Sequence, residues 1–295
     1  MDARERDLVT INTYDILGAL GWRTTGLPRR WLELLVRHPA RRFADMVIAF
    51  DEAVRAAGLP VAAQGLLESF ADGLTVSGAE RIPARGPVLI LSNHPGMSDT
   101  VALFAAVPRA DLRIIAADRP FLRTLSAAAR QLIFVPEGPS PAKAAGRAAA
   151  IRAAVGHLRA GGALLTFPAG EIEPDPAVLP GAVQSLERWS ASTEIFLRHT
   201  PGCVVVPVVV SGVLSRRAQR HPLTRLRRSR KDREWLGAMM QIIRRMLQPG
   251  SWPVRVRVNF LEPFDAGALD VRGGRALAAV RDRVGAFLRE APPHW

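Results

Sequence analysis

The chain has 295 residues, 48% of them hydrophobic, which is enough to bury a sizeable core in one large domain or two small ones and excludes a disordered protein. It carries 40 lysine and arginine residues against 27 acidic ones, and only Lys143 and Lys231 are lysines. The net charge of +13 is therefore almost wholly guanidinium, a group that binds phosphate through paired donors. Codon bias in a GC-rich genome is an equally good reason for so much arginine.

No run of eighteen or more uncharged apolar residues is present, so the sequence predicts no transmembrane helix. The longest candidate, CVVVPVVVSGVL at 203–214, is short, rich in valine and interrupted by Pro207, which is typical of a buried strand. The first ten residues lack the basic-then-apolar layout of a secretory signal, and the single cysteine, Cys203, lies in that apolar run. These features predict a reducing, cytoplasmic location.

Residues 1–72 are predicted to form a helical N-terminal region. The clearest sign is an apolar stripe at helical spacing, formed by Phe43, Met46, Val47, Phe50 and Val54. Gly58 and Pro60 are expected to end this helix. Upstream, Trp22 and Trp31 are mixed with leucines and arginines, which indicates either a helical hairpin packed on the rest of the chain or a surface in a lipid interface. We favour packing.

Residues 73–295 are predicted to form an α/β domain, with a mostly parallel or mixed sheet covered by helices on both faces. Its predicted strands lie in GPVLILSN, LRIIAAD, GALLTFPAG, GCVVVPVVVSG and finally WPVRVRVNFLEPF, and its last helix is RALAAVRDRVGAFLREA. Ligands of such sheets bind beyond the carboxyl ends of the strands, so the loops after the strands should form the functional rim. The proline-rich stretch EIEPDPAVLPG at 171–181 predicts a surface loop near that rim.

The stretch LSNHPGMSDT at 91–100 places His94 just after a strand and Asp99 at the expected N-cap of the next helix. In one interpretation, Asp99 only caps the helix. In the other, Pro95 and Gly96 fold the loop so that Asp99 holds one imidazole nitrogen and the second acts as a general base. The sequence contains no G-x-S-x-G elbow and no metal-binding spacing, so we expect no metal and a base that acts directly on a bound hydroxyl.

Four blocks of sequence occur in a characteristic order. They are Asn93, His94 and Asp99; QLIFVPEG at 131–138; FPAG at 167–170; and VVVPVVVSGV at 204–213. Together they resemble the glycerophospholipid acyltransferase family, typified by bacterial 1-acyl-glycerol-3-phosphate acyltransferase, over about residues 74–264. The resemblance implies that His94 is the catalytic base and Asp99 its partner. It also implies oxyanion donors among the backbone amides near Gly170, and substrate contacts from Asn93, Phe167, Pro168, Gly170 and Glu171.

The activity implied by this resemblance is transfer of a fatty acyl group from an acyl thioester to a hydroxyl of a lyso-phospholipid or another membrane lipid. The donor would be acyl-CoA or acyl carrier protein, and no other cofactor is expected. Two alternatives stay open, a non-catalytic lipid-binding relative and an acyl thioester hydrolase.

Two blocks depart from the family pattern. Ala169 and Ile172 replace a glutamate and an arginine of the third block, and Glu137 follows Pro136 where the second block usually ends in arginine. The missing arginines are the expected phosphate contacts, so lysophosphatidic acid should not be the preferred acceptor. In their place, Glu171 and its neighbour Glu173 either bind an amine or hydroxyl of another acceptor or form the acidic first turn of a loop.

Residues 216–233, here called the basic segment, hold nine lysine and arginine residues against one aspartate. A helical pattern follows, with Trp235, Met239, Ile243 and Met246 on one face. A solvated loop before a core helix is one interpretation, and a nucleic-acid arm is disfavoured because aromatic residues are scarce. The third is a membrane dock, in which Arg225, Arg227, Arg228 and Arg230 bind anionic lipid at the inner face of the membrane. We therefore predict a peripheral membrane acyltransferase.

Overall fold

The computed structural model describes residues 3–19, 27–268 and 275–290, so the prediction for Trp22 lies outside the described residues. The α-helices of this part of the chain are α1 Ala3–Ala19, α2 Leu27–Ala57, α3 Leu59–Glu68, α4 Met97–Ala106, α5 Pro120–Arg123, α6 Pro141–Arg159, α7 Ala182–Ser185, α8 Ser192–Arg198, α9 Arg216–Gln219, α10 Arg230–Leu247 and α11 Arg275–Glu290. The strands are β1 Leu74–Ser77, β2 Val88–Ser92, β3 Arg113–Ala117, β4 Leu132–Val135, β5 Ala163–Thr166, β6 Val204–Ser211, β7 Val256–Phe260 and β8 Phe264–Asp265.

These strands form a mixed sheet, as predicted, in the order β1-β7-β6-β2-β5-β3-β4, with β8 paired to β6. The five strands from β6 to β4 are parallel to their neighbours, whereas β7 is antiparallel to β6. The carboxyl ends of β2, β5 and β6 therefore lie side by side, and the start of β7 lies at the same edge of the sheet. The loop that follows β2 is at the centre of that edge.

Helices cover both faces of the sheet, which confirms the second part of the fold prediction. Val88 and Ile90 of β2 belong to a core shared with α2, α3 and α4, whereas Leu89 and Leu91 belong to a core shared with α6, α8 and α11. Successive residues of β2 thus point to opposite faces, and both sets are almost fully buried. Burial on two faces explains why the strand reads as a continuous apolar run.

The N-terminal helices pack directly on the sheet. Val47, Phe50 and Val54 of the predicted stripe are buried in the same core as the strands, and α2 ends at Ala57, before Gly58 with a φ of 84°. A buried carboxylate also links these helices to the rest of the chain. Asp51 of α2 accepts hydrogen bonds from two backbone N–H groups in the segment after α5, and it forms an ion pair with Arg4 of α1. Trp31 remains 72% exposed, so part of this region keeps an apolar surface.

The basic segment is more ordered than a solvated loop. It contains α9, a turn of 3-10 helix at Pro222–Leu226 and the start of α10. In α10, Met239 is buried against α1 and α2 with Ile243 beside it, as predicted for a core helix, whereas Trp235 is 39% exposed. Among the described helices, none has the length and apolar character needed to cross a membrane.

Candidate active site

Asn93 continues the pairing of β2 with β6 beyond the end of the strand. Its side-chain Nδ2 donates to the carbonyl of Val210 at 2.9 Å, and its Oδ1 accepts from the Val210 N–H at 2.7 Å. The side chain is buried, and both its nitrogen and its oxygen bond to the strand backbone. Asn93 therefore sets the direction in which the chain leaves β2, and the expectation that it binds substrate stays a prediction.

His94 and Asp99 form the pair that the sequence predicted. The Nδ1 atom of His94 lies 2.8 Å from Oδ2 of Asp99, whose side chain is completely buried. The Asp99 oxygens also accept the Gly96 N–H at 3.0 Å and the Thr100 hydroxyl at 3.0 Å. Because Nδ1 is engaged by the carboxylate, Nε2 is the nitrogen left for a substrate, and the His94 side chain is 24% exposed.

The helix cap differs from the prediction by three residues. Gly96, not Asp99, is the N-cap of α4, and Asp99 occupies the third helical position, from which its carboxylate accepts the Gly96 N–H. A carboxylate at this position satisfies a free N–H group and interacts favourably with the helix dipole. The two interpretations of Asp99 are thus compatible, because one side chain caps the helix and holds the imidazole.

The environment of His94 raises its pKa above the ordinary value of 6.5. Burial on its own would lower the pKa, but the charge of Asp99, its hydrogen bond and the charge of Glu173 outweigh burial by stabilising the imidazolium form. A general base must be neutral before it can take a proton. We therefore expect kcat/KM to fall as the pH drops through an apparent pKa above 6.5. In Asp99→Asn the pH at which kcat/KM falls to half should be lower than in wild type. If that pH does not change, a group other than His94 titrates.

Phe167, at the carboxyl end of β5, packs on the imidazole. The two ring centroids are 4.2 Å apart with an interplanar angle of 17°, a stacked arrangement. Stacking restricts the rotation of His94 from one side while Asp99 holds it at the edge. The sequence predicted that Phe167 contacts substrate, whereas in the structure its ring contacts the imidazole.

The loop after β5 is tied to His94 by Glu173. The Glu173 carboxylate accepts from the His94 backbone N–H at 3.0 Å, and its own N–H donates to the His94 carbonyl at 2.8 Å. Its second oxygen accepts from the Ser185 hydroxyl and from Nε1 of Trp189, both at 2.8 Å. Glu173 is only 2% exposed, which excludes the acceptor contact considered for it, and burial raises its pKa against these donors. It positions the loop that carries the base.

Replacing Glu173 with glutamine is expected to destabilise the fold and slow catalysis together. The His94 N–H and the Trp189 Nε1–H are pure donors that bond different oxygens of the carboxylate. The amide NH₂ of glutamine would therefore face a donor in either orientation, and the cost is about 1–3 kcal/mol. Urea unfolding should show this loss, and kcat should fall with little change in KM because the imidazole is displaced. As a comparison, Glu187→Gln changes a neighbouring acidic residue that donors do not surround in this way. Equal stability of the two variants would contradict a positioning role for Glu173.

Asp175 connects the same loop to the end of β6. Its carboxylate accepts backbone N–H groups from Ala177, Gly212 and Leu214, each at 2.9 Å, and it is completely buried. Burial raises its pKa while these donors lower it. The stretch 171–181 was predicted to be a surface loop, and this is wrong for its two central acids. The loops after β2, β5 and β6 instead form one hydrogen-bonded unit around His94.

Three further predicted residues surround this unit. Pro168 is buried and its carbonyl accepts from Ser190 N, while the N–H of Gly170 donates to the Phe167 carbonyl at 3.0 Å in a turn. The Gly170 amide is therefore engaged within the loop, and the expectation that amides near Gly170 act as oxyanion donors stays a prediction. Glu171 is 40% exposed and forms ion pairs with Arg188 and Lys231, so it lies on the outer side of the loop.

The fold and the site together define an α/β protein with a histidine and a buried aspartate at the carboxyl end of a central strand. A family model described as Acyltransferase matches residues 73–211, which contain this pair, the first three sequence blocks and most of the fourth. This match supports the resemblance of the chain to the glycerophospholipid acyltransferases.

Among solved structures, the chain is similar to the 1-acyl-sn-glycerophosphate (LPA) acyltransferase PlsC from Thermotoga maritima. The two share 16% sequence identity with a TM-score of 0.46, over 98% of this chain and 95% of the other. No curated protein matches the chain.

Proposed function

We propose that this protein is a peripheral membrane enzyme that transfers a fatty acyl group from an acyl thioester to the hydroxyl of a membrane lipid. The observation that carries the proposal is the 2.8 Å contact between His94 Nδ1 and the buried Asp99, which leaves Nε2 directed to act as a base. The family match over residues 73–211 supports acyl transfer as the reaction.

In the proposed reaction, His94 Nε2 takes the proton of the acceptor hydroxyl while the hydroxyl oxygen attacks the thioester carbonyl carbon. The new C–O bond forms a tetrahedral intermediate, which collapses as the C–S bond breaks. The departing thiolate takes the proton back from the imidazolium, so the products are an ester and a free thiol. Asp99 stabilises the imidazolium between these steps, and general base catalysis of this kind contributes about 10²–10⁴ in rate. Cys203 is not an alternative nucleophile, because burial raises its pKa to about 12.

The acceptor is expected to lack a phosphate monoester. Two arginines that follow β3, at the carboxyl-end edge of the sheet, are already paired: Arg119 with Glu137 at 3.0 Å, and Arg123 with Asp118 through two hydrogen bonds. A phosphate would have to displace a carboxylate at each. With a labelled acyl thioester and a panel of lyso-lipids, amino-lipids and glycolipids, transfer to neutral or amine-bearing acceptors should exceed transfer to lysophosphatidic acid several-fold.

The same panel separates the alternatives. Labelled ester in any lipid supports the transferase, whereas label released only as free fatty acid would indicate a thioester hydrolase. Label that stays bound without turnover would indicate a lipid-binding relative. A several-fold preference for lysophosphatidic acid would contradict the acceptor assignment alone.

We also propose that the basic segment docks on anionic lipid at the inner face of the membrane. Arg225 and Arg228 are exposed there beside two apolar side chains, Leu223 at 49% and Leu226 at 76% exposure. Apolar side chains next to guanidinium groups suit the boundary between acyl chains and phosphates. An open groove of about 540 Å³ adjoins them, and its apolar lining comes from Leu223, Trp252 and three side chains of α10.

The basic segment lies close to the proposed catalytic site. Lys231 at the start of α10 pairs with Glu171 of the loop after β5, at 2.7 Å. Arg230 donates to the Pro180 carbonyl of the same loop and pairs with Glu234 at 2.6 Å. Arg230 therefore holds the basic segment to that loop, and its predicted contact with the membrane stays a prediction. A lipid bound to the segment would be near the loop that carries His94.

A further inference from the structure

A separate cleft of about 270 Å³ lies between the end of β6 and the start of β7. Four arginines line it together with Ser215 and small apolar groups, and its lining contains no carboxylate; the arginines are Arg216, Arg217, Arg255 and Arg257. At roughly 30 Å³ per water molecule, the volume suits a phosphate or diphosphate group rather than a whole lipid or nucleotide. We call it the arginine cleft.

Three of the four guanidinium groups of this cleft differ from those of Arg119 and Arg123 in having no carboxylate partner among the ion pairs of the described residues. Arg216 donates to the Ala177 carbonyl at 2.8 Å, which fixes one wall. Within the described residues, the ion pairs include none from Arg217, Arg255 or Arg257. The charge of Arg255 helps to lower the pKa of Asp72, which is itself paired with Arg245 at 2.8 Å. Like charges gathered in one cleft repel each other, so an anion there would stabilise it.

The back of the cleft belongs to the unit that holds His94. Gly212 and Leu214 line it, and both donate their N–H groups to Asp175. Leu214 also packs beside Gly96, where an added Cβ would lie 3.7 Å from its Cδ2. Because β6 separates β7 from β2, the β7 side of the cleft, which carries Arg255 and Arg257, is about two strand spacings from β2, on the order of 10 Å.

This distance distinguishes the phosphate of a lyso-phospholipid acceptor from the phosphate of the acyl donor. In a lyso-phospholipid the phosphate is only a few bonds from the free hydroxyl, so a hydroxyl at His94 would keep its phosphate near the imidazole. In an acyl thioester donor the phosphate stands at the far end of the pantetheine arm, many bonds from the reacting carbonyl. We propose that the arginine cleft binds the phosphate at the end of the pantetheine arm of the acyl donor. This assignment rests on the proposed acyl transfer and concerns the donor side of the same site.

The test compares donors that differ by a single phosphate. In the variant Arg217→Gln, Arg255→Gln, Arg257→Gln, KM for S-acyl phosphopantetheine and acyl-CoA should rise about tenfold or more, as expected for lost charge-assisted hydrogen bonds. KM for S-acyl pantetheine, which lacks the phosphate, should not change, and kcat should be retained. Arg198→Gln, an exposed charge removed from α8, is the control and should behave as wild type.

Two natural sources carry this phosphate, coenzyme A and acyl carrier protein, and each is assayed as donor. The source whose KM rises in the triple variant is the one that uses the cleft. An equal rise for S-acyl pantetheine would overturn the proposal, because the effect would not depend on phosphate. A rise in KM for the lipid acceptor alone would also overturn it and assign the cleft to the acceptor headgroup.

A binding measurement separates this proposal from the proposed function. Calorimetric titration with phosphopantetheine and with pantetheine requires no turnover and is carried out on both wild type and the triple variant. Phosphopantetheine should bind more weakly to the variant than to wild type, whereas the affinity for pantetheine should be the same for both. Phosphate-dependent binding without acyl transfer would retain the cleft and reject the enzyme. Acyl transfer with no phosphate dependence would reject the cleft alone. The triple lysine variant, which keeps the charge, should recover part of the affinity, and matching thermal midpoints exclude unfolding as the cause.

Discussion

Replacing His94 with alanine is expected to lower kcat by about 10³-fold with little change in KM, because the variant loses the base but keeps the loops that bind substrate. The structure supports this large effect, since Asp99 orients the imidazole at 2.8 Å and Phe167 stacks on it. Steady-state assays with a saturating acyl thioester would measure the loss.

Asp99→Asn separates orientation from capping. It should cost less activity than His94→Ala, and the double variant should be little worse than His94→Ala, because two residues that act as a unit are not additive. Loss of the carboxylate that accepts the Gly96 N–H should also reduce stability by about 1 kcal/mol. If His94→Ala kept activity within a few-fold of wild type, the histidine would not be the base. If Asp99→Asn lost stability but not turnover, Asp99 would be a cap only.

Reversal of Arg225, Arg227 and Arg228 to glutamate is expected to abolish sedimentation with vesicles that contain anionic lipid. Each arginine near such a surface contributes up to about 1 kcal/mol, so losing three attractions and adding three repulsions should weaken binding by more than about 100-fold. Wild-type binding should also weaken at high salt, because the attraction decays over about 8 Å at physiological ionic strength. Activity on a short-chain acceptor dissolved in water should be unaffected.

A matched charge reversal controls for the change in net charge. Arg85, Arg152 and Arg198 are exposed on other elements, and their reversal to glutamate should leave vesicle binding close to that of wild type. If the first variant still sediments as well as wild type, the basic segment is only a solvated surface. The exposed Trp31 of α2 would then become the next candidate for membrane contact.

The proposed catalytic pair was accessible from the sequence. The five-residue spacing from His94 to Asp99, with a proline and a glycine between them, follows a buried strand directly. All of these are local features, because the contact is made within one turn. The fold class was also accessible, since strands such as β2 are buried on both faces and appear as continuous apolar runs.

Strand direction was not accessible in the same way. Periodicity does not show that β7 runs antiparallel to β6, and this reversal brings Arg255 and Arg257 to the end of β6 that carries Arg216 and Arg217. The arginine cleft joins residues about forty positions apart along the chain. From the sequence, the density of positive charge indicated only the basic segment as a place to bind anions, and it did not indicate the cleft.

The sequence by itself determined the apolar strands, the helices that flank them and the local geometry of His94 and Asp99. Only the tertiary structure decided which polar residues are buried. Glu173 and Asp175 lie in a proline-rich stretch that reads as a surface loop, yet both are buried, because Trp189, Ser185, Gly212 and Leu214 bring them hydrogen-bond donors from distant positions. A buried carboxylate is tolerated only where such donors compensate for the lost water. Those donors meet only once the loops after β2, β5 and β6 lie side by side.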